Sequence, residues 1–260
     1  MDTEIKAFLQ KTKTLRTQQR SGKKSEIMNL TMAKKIFVVL AIILLSSNET
    51  AVGAPPPTPT IDNPCMAVTV LFQQFPPLLT QFKATGEESY RVSSAAVTLT
   101  KALERHGFLT PDDLLMLKAL DVRLPGLPLA VQAVDKANQR NIVEFFRQAY
   151  HDISIHIEYV QMALSEQVAI DNRLLEQELS ELEKKLFHLL CKVHTILKSQ
   201  GEVLTSFVDA SVIPDGIKDI QDTTMRYMRN YILGQDITVF MDNLIANCTS
   251  FYNNGTLDTS

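Results

Sequence analysis

The chain reads as all-α: a long-chain four-helix bundle in up-up-down-down order, with a short extra helix in its first crossover connection. Three observations predict this. Four long segments carry apolar residues at helical spacing, strand signals are nearly absent, and the connections between the four segments run long, short, long. Composition agrees. The 260 residues are 45% hydrophobic and 21% charged, enough for a sizeable core and unlike a disordered chain.

The first segment runs from Pro77 to His106. Pro76 and Pro77 suit a helix start, and Leu79, Phe82, Val92, Ala96, Leu99 and Leu103 lie on one side. A strap follows, from Gly107 to Asp135, containing "LTPDDLLMLKALDVRLPGLPLAV". Thr110 caps a short helix there, with Asp112 and Asp113 in its first turn, and Leu114, Leu115, Leu117 and Leu120 pack onto the bundle. Pro125, Gly126 and Pro128 punctuate its exit.

The second long segment carries Ile142, Phe146, Ala149, Ile153, Ile157, Val160 and Leu164. "SEQVAI" (Ser165 to Ile170) is a tight link or a continuation. The third segment has the most regular stripe: Leu175, Leu179, Leu182, Leu186, Leu189, Val193 and Ile196. Asp171 or Asn172 caps its start and Gly201 stops it. The connection Gln200 to Asp215 ends in Pro214. The fourth segment, Ile217 to Asn247, carries Ile220, Met225, Met228, Ile232, Val239 and Leu244, and Gly234 loosens it. Helices of about 45 Å follow from a rise of about 1.5 Å per residue. A strap of this length can climb that distance and set two successive helices parallel, whereas the short link makes antiparallel neighbours. "MAVTVLFQQF" (Met66 to Phe75) is a strand or a short helix. No internal repeat is visible.

Upstream, Lys34 and Lys35 precede the apolar run Ile36 to Leu45, and Ala51-Val52-Gly53 follows before Ala54. That order is a secretory signal over 32–53, with cleavage after Gly53. Bilayer spanning takes about 20 apolar residues, more than this run supplies. The alternative is a signal anchor, with the basic residues of the 1–31 extension held on the cytoplasmic side. Residues 54–76 are then a leader, "APPPTPT" being stiff and extended, 77–250 the helical domain and 251–260 a tail. The expected localisation is secreted and extracellular, with no stable membrane insertion once the signal is removed. Two glycosylation sequons follow the signal, at Asn247 and Asn254.

Several functions are excluded or disfavoured. A net charge of −3 leaves no basic surplus for nucleic acid. No zincin, nucleophile-elbow, Walker or dinucleotide motif occurs, so no enzyme activity and no cofactor are expected. Cys191 and His194 could share a metal, but structural zinc needs four ligands, and no metal site is assigned. The acidic residues Glu176, Glu178, Glu181 and Glu183, with Lys184 and Lys185, read as a solvated helix face.

At the strap the sequence resembles a family. "LTPDDLLMLKALDVRLPGLPLA" is similar to the first connection of granulocyte colony-stimulating factor, and "ISIHIEYVQMALSEQ" (Ile153 to Gln167) is similar to the second long helix of interleukin-6. The resemblance to this group of long-chain four-helix cytokines covers Glu104 to Gln167; beyond that only the architecture matches. It departs in the cysteines, because the group's two short-range disulfides cannot be built from Cys65, Cys191 and Cys248. It also lacks the Phe-x-x-Lys start of the fourth helix found in one branch. The resemblance implies a secreted ligand that bridges class I cytokine receptors, of the shared-transducer or colony-stimulating-factor-receptor kind, and it places Asp113 at a receptor contact.

A ligand of that kind needs exposed faces. Phe187 lies opposite the leucine stripe of its helix, where it is either covered by the strap or part of a receptor contact. Asp222, Arg226 and Arg229 are available on a polar side of the fourth helix. In the up-up-down-down order the first helix begins where the fourth ends, so Cys65 and Cys248 can pair and Cys191 is left over. Such a long loop closure is worth about 4–5 kcal/mol in the chain-entropy model. The competing function is an apolipoprotein-like lipid carrier, which would turn the apolar stripes towards lipid and melt gradually instead of cooperatively.

Overall fold

The chain divides into two compact units, 1–45 and 46–260. The computed structural model describes residues 65, 75–120, 122–128, 139–169, 171–202 and 207–253, all in the second unit. The signal segment, most of the leader, the stretch 66–74, the strap's 129–138 and Asn254 lie outside the described residues. No described helix is long and apolar enough to cross a membrane.

The described residues are helical and contain no strand. The helices are α1 (Leu78–Arg105), α2 (Pro111–Leu120), α3 (Gln139–Ala169), α4 (Glu176–Ser199), the one-turn α5 (Asp215–Lys218) and α6 (Thr223–Asn253), with a 3-10 turn at Ala210–Val212. Pro77 occupies the N-cap of α1, and Gly107 leaves its end with φ +69°. Gly201, at φ +80°, ends α4 in the left-handed conformation that glycine adopts without a Cβ clash.

Most positions of the first three stripes lie in the core, Leu79 and Leu164 being only half-buried. All seven of the α4 positions are fully buried, as are Phe146, Ala149, Ile153, Ile157 and Val160 of α3. Phe145, which no stripe included, completes an aromatic cluster with Phe82, Phe146 and Phe251. Phe82 stacks on Phe146 at 5.6 Å, and Phe145 meets Phe251 edge-on at 5.3 Å.

Cross-contacts fix the helix directions. Phe82 meets Phe251 at 5.5 Å while Glu104 accepts from the Tyr231 hydroxyl at 3.1 Å, so α1 and α6 run antiparallel. His156 faces Phe240 at 4.9 Å and Glu166 accepts from Arg229 at 2.9 Å, so α3 is antiparallel to α6 as well. Tyr150 faces His194, and Gln161 donates to Glu183 at 2.9 Å, which makes α3 and α4 antiparallel.

The fourth pattern is not one helix. Chain 219–222 interrupts it, and Asp222 restarts it as a cap, accepting the Met225 amide at 2.9 Å. Residues 226–234 are then buried continuously, while Val239 is exposed and Met225 only half-buried. A single stripe was the wrong template here, because a helix covered on several sides has no polar face to set its phase. The α4 cap is also corrected. Leu175 holds that position with no side-chain bond, and Asp171 is engaged elsewhere. In α2, Met116 and Leu117 are buried, but Leu115 points to solvent at 67% exposure.

The strap crosses between α3 and α6. The Leu124 amide donates to Asp236 of α6 at 3.4 Å, and the Tyr159 hydroxyl of α3 donates to the Pro125 carbonyl. Gly126, at φ +83°, has no room for a side chain: a Cβ would lie 2.9 Å from the Tyr159 oxygen and 3.3 Å from Pro214. Both long connections therefore meet over α3, and residues 152–160 of that helix are buried on every side.

Gly234 permits the closest approach of α1 and α6, since a Cβ there would sit 2.7 Å from the Thr100 methyl and 3.3 Å from the Ala96 carbonyl. Far from loosening α6, it lets the two helices touch. Gly234→Ala should therefore destabilise the protein by about 1–3 kcal/mol by overpacking, although alanine is the better helix former by about 1 kcal/mol. A lowered urea midpoint with an unchanged slope is the expected readout.

Candidate functional site

The polar residues singled out on α6 are not a surface. Arg226 and Arg229 are 1% and 2% exposed. Arg226 forms a two-point pair with Asp171, its Nε lying 3.2 Å from Oδ2, and its Nη1 caps the Gln221 carbonyl at 2.7 Å. The Asp171 carboxylate raises the proton affinity of the guanidinium further. Arg229 clasps Glu166 with both terminal nitrogens and donates to the Ile217 carbonyl at 3.2 Å. Gln167 joins the group, donating to Asp171 at 3.0 Å and accepting the Leu175 amide at 2.9 Å. Arg226 and Arg229 therefore bind the α3–α4 turn and the α5 segment to the start of α6. The expectation that they face a receptor is corrected: the exposed-face reading overlooked that buried arginines need carboxylates, and Glu166 and Asp171 supply them.

Asp113 is corrected in the same way. It is 4% exposed; its carboxylate accepts from the Thr110 amide at 3.0 Å and hydroxyl at 2.7 Å, and that hydroxyl accepts the Asp113 amide at 3.2 Å. This reciprocal arrangement is a capping box closed by Asp, and its work is done inside the chain. Asp222 is exposed, though its Oδ1 is committed to the α6 cap. Phe187 is half-buried and stacks on Phe207 of the last connection at 6.3 Å.

The cysteine pairing differs from expectation. Cys65 is bonded to Cys191, with Cα atoms 5.2 Å apart, and Cys248 is a buried free thiol. The Cys65–Cys248 pairing rested on the first helix beginning where the fourth ends, which brings Cys248 to that end without aiming its thiol at Cys65. Instead it faces α1, where a Cβ on Gly86 would lie 3.5 Å away, and burial pushes the thiol up to about 12. Cys191 lies off the leucine stripe of α4 and is free to take Cys65. Asn247, beside Cys248, is also buried, and its amide donates to the Asn243 carbonyl at 2.9 Å. In the folded chain it is not an accessible glycan acceptor, contrary to the exposed sequon read from the sequence.

The most exposed aromatic described lies on α1. Tyr90 is 70% exposed, the largest value among the exposed large hydrophobics described. It stands between two shallow depressions. One is shared with α4 and lined by Ser94, Thr98, Glu178, Glu181 and Lys185; the other is shared with α6 and lined by Phe82, Gly86, Ile245, Cys248 and Tyr252. Tyr252 is itself 45% exposed. Lys185 pairs with Glu181 at 2.9 Å and holds its carboxyl below the ordinary range. Tyr90 falls two residues before Val92, off the α1 stripe, so the test that picked out Phe187 on α4 would have found it on α1. Among the described residues no group of three His, Cys, Asp or Glu is placed to hold a metal.

No protein-family model, curated protein or solved structure matches the chain significantly. The functional reading therefore rests on these residues.

Two outcomes test the geometry. Arg229→Leu leaves Glu166 buried without its partner and should cost about 3–5 kcal/mol, while the joint Arg229→Leu, Glu166→Leu variant recovers much of that loss in chemical denaturation. Non-reducing peptide mapping should return a peptide joining Cys65 to Cys191, with Cys248 inert to thiol reagents until the protein is denatured; rapid native labelling of Cys248 would contradict its burial.

Proposed function

We propose that the chain is a secreted ligand of a class I cytokine receptor, built as an up-up-down-down long-chain bundle. The observation that carries this reading is the strap. With α1 and α3 each antiparallel to α6, the connection between α1 and α3 has to travel the length of the bundle, and its described part lies across α3 and α6. That supports the overhand order which the resemblance at Glu104–Gln167 implies. The lipid-carrier alternative would turn the apolar stripes outward, whereas the α4 stripe is wholly buried.

The receptor-facing surface proposed is the Tyr90 face of α1, with Tyr252 on one flank and the Glu181–Lys185 pair on the other. A rigid amphipathic aromatic ringed by charged residues is the pattern of a binding hot spot. The test is binding of the mature chain to immobilised class I cytokine-receptor ectodomains. Capture by one of them is expected, with Tyr90→Ala weakening it at least about tenfold (about 1.4 kcal/mol) at unchanged melting temperature. Failure of the folded chain to bind any ectodomain, together with uptake by neutral phospholipid vesicles, would overturn the receptor reading.

A further inference from the structure

α3 is enclosed along 152–160, and two buried imidazoles lie at its contacts with α6 and α4. His156, on α3 itself, is fully buried. Its Nδ1 lies 2.7 Å from the Asp152 carbonyl and so carries the proton, and the ring faces Phe240 of α6 at 4.9 Å. Its Nε2 has no hydrogen-bond partner among the described residues. His194, on α4, is 7% exposed and faces Tyr150 of α3 at 6.2 Å, and its Nδ1 is likewise without a partner. A neutral imidazole tolerates one unpartnered nitrogen in an apolar setting; an imidazolium, with two donors and a charge, does not.

We propose that α3, with the strap that crosses it, is an acid-released element: protonation of His156 and His194 loosens α3 from α6 and α4 while the close α1–α6 pair holds.

Among the described residues, no carboxylate pairs with either ring. The charged groups that α6 turns towards α3 are Arg229, clasping Glu166, and Asp236, which accepts the Leu124 amide. From α4, Glu183 accepts from Gln161, and Lys198 opposes a charge on His194. Asp209, before the 3-10 turn, stands near Glu158. On α3 itself, Asp152 accepts from Gln148 at 2.8 Å and lies 3.4 Å from the exposed His151. Only burial and the Asp152 carbonyl bear on the proton affinity of His156, and burial dominates, taking it from 6.5 to about 4. For His194, burial first and Lys198 second act in the same direction. Because the folded values are depressed, the opened form binds protons that the closed form refuses. The stability that His156 contributes to the closed form is complete above about pH 6.5 and is lost as pH falls towards 4, and His194 acts in the same direction.

The weakness is local. The α1–α6 contact is tight at Gly234 and carries no buried imidazole, whereas α3 and α6 are bridged in part by strap residues Leu124 and Pro125. Release should therefore begin at α3.

Hydrogen exchange of the full chain at pH 7 and pH 5, corrected for the intrinsic rate, tests this. Protection over 152–160 should fall at least about tenfold more than protection over 92–103 of α1. The His156→Gln, His194→Gln variant should keep α3 protected at pH 5. Uniform loss along the chain, or the same selective loss in that variant, would overturn the proposal. Should the variant not fold at pH 7, histidine ring-proton titration of the unaltered protein decides it: two imidazoles that stay neutral well below pH 6 support the device, and five that titrate near 6.5 refute it.

Discussion

Two buried arginines hold one end of this protein together. Arg226 and Arg229 lie one turn apart at the start of α6, and each takes a carboxylate from the α3–α4 junction, Asp171 in the turn and Glu166 in the last turn of α3. The same guanidinium groups donate to the backbone carbonyls of Ile217, Ile220 and Gln221. One pair of side chains thus ties the end of α3, the turn after it and the last connection to the start of α6. The turn needs such a restraint, because Asn172 and Arg173 both hold positive φ, 56° and 63°, which side chains other than glycine adopt at a cost.

The opposite end is held differently. Phe82, Phe145, Phe146 and Phe251 bring α1, α3 and α6 together through aromatic contact, with no ion pair required. Between these ends, α1 and α6 approach at Gly234, while α3 is hemmed in by the strap and the last connection. The molecule is therefore polar-bolted at one end and greasy at the other, and the surface of α1 around Tyr90 is left to solvent.

The long helices were legible because their apolar residues recur at one period. The leucine stripe of α4 and all of the α3 stripe but the half-buried Leu164 map directly to burial, and Thr110 and Gly201 act as read. The polar residues were not legible. Asp113, Arg226 and Arg229 look like surface groups to any reading by residue type, and only the three-dimensional placement of Thr110, Asp171 and Glu166 shows them satisfied inside. Tyr90 is legible by the same criterion as Phe187, an aromatic lying off the apolar stripe of its helix. The cysteine pairing was beyond reach, since it depends on the path taken between Cys65 and the first helix, which periodicity does not encode.

That pairing partitions the chain. The bond between Cys65 and Cys191 closes a covalent ring across a separation of 126 residues, and the ring contains α1, the strap, α3 and most of α4. α6 stands outside it. A protease cut anywhere in the strap opens the ring but leaves both pieces joined by sulfur, whereas a cut in the connection after α4 frees α6 from every covalent tie. Its retention then depends on the arginine clasps, the contact at Gly234 and the aromatic cluster alone. The two long connections, alike as exposed crossings of the same helix, are thus unequal in what their loss would do.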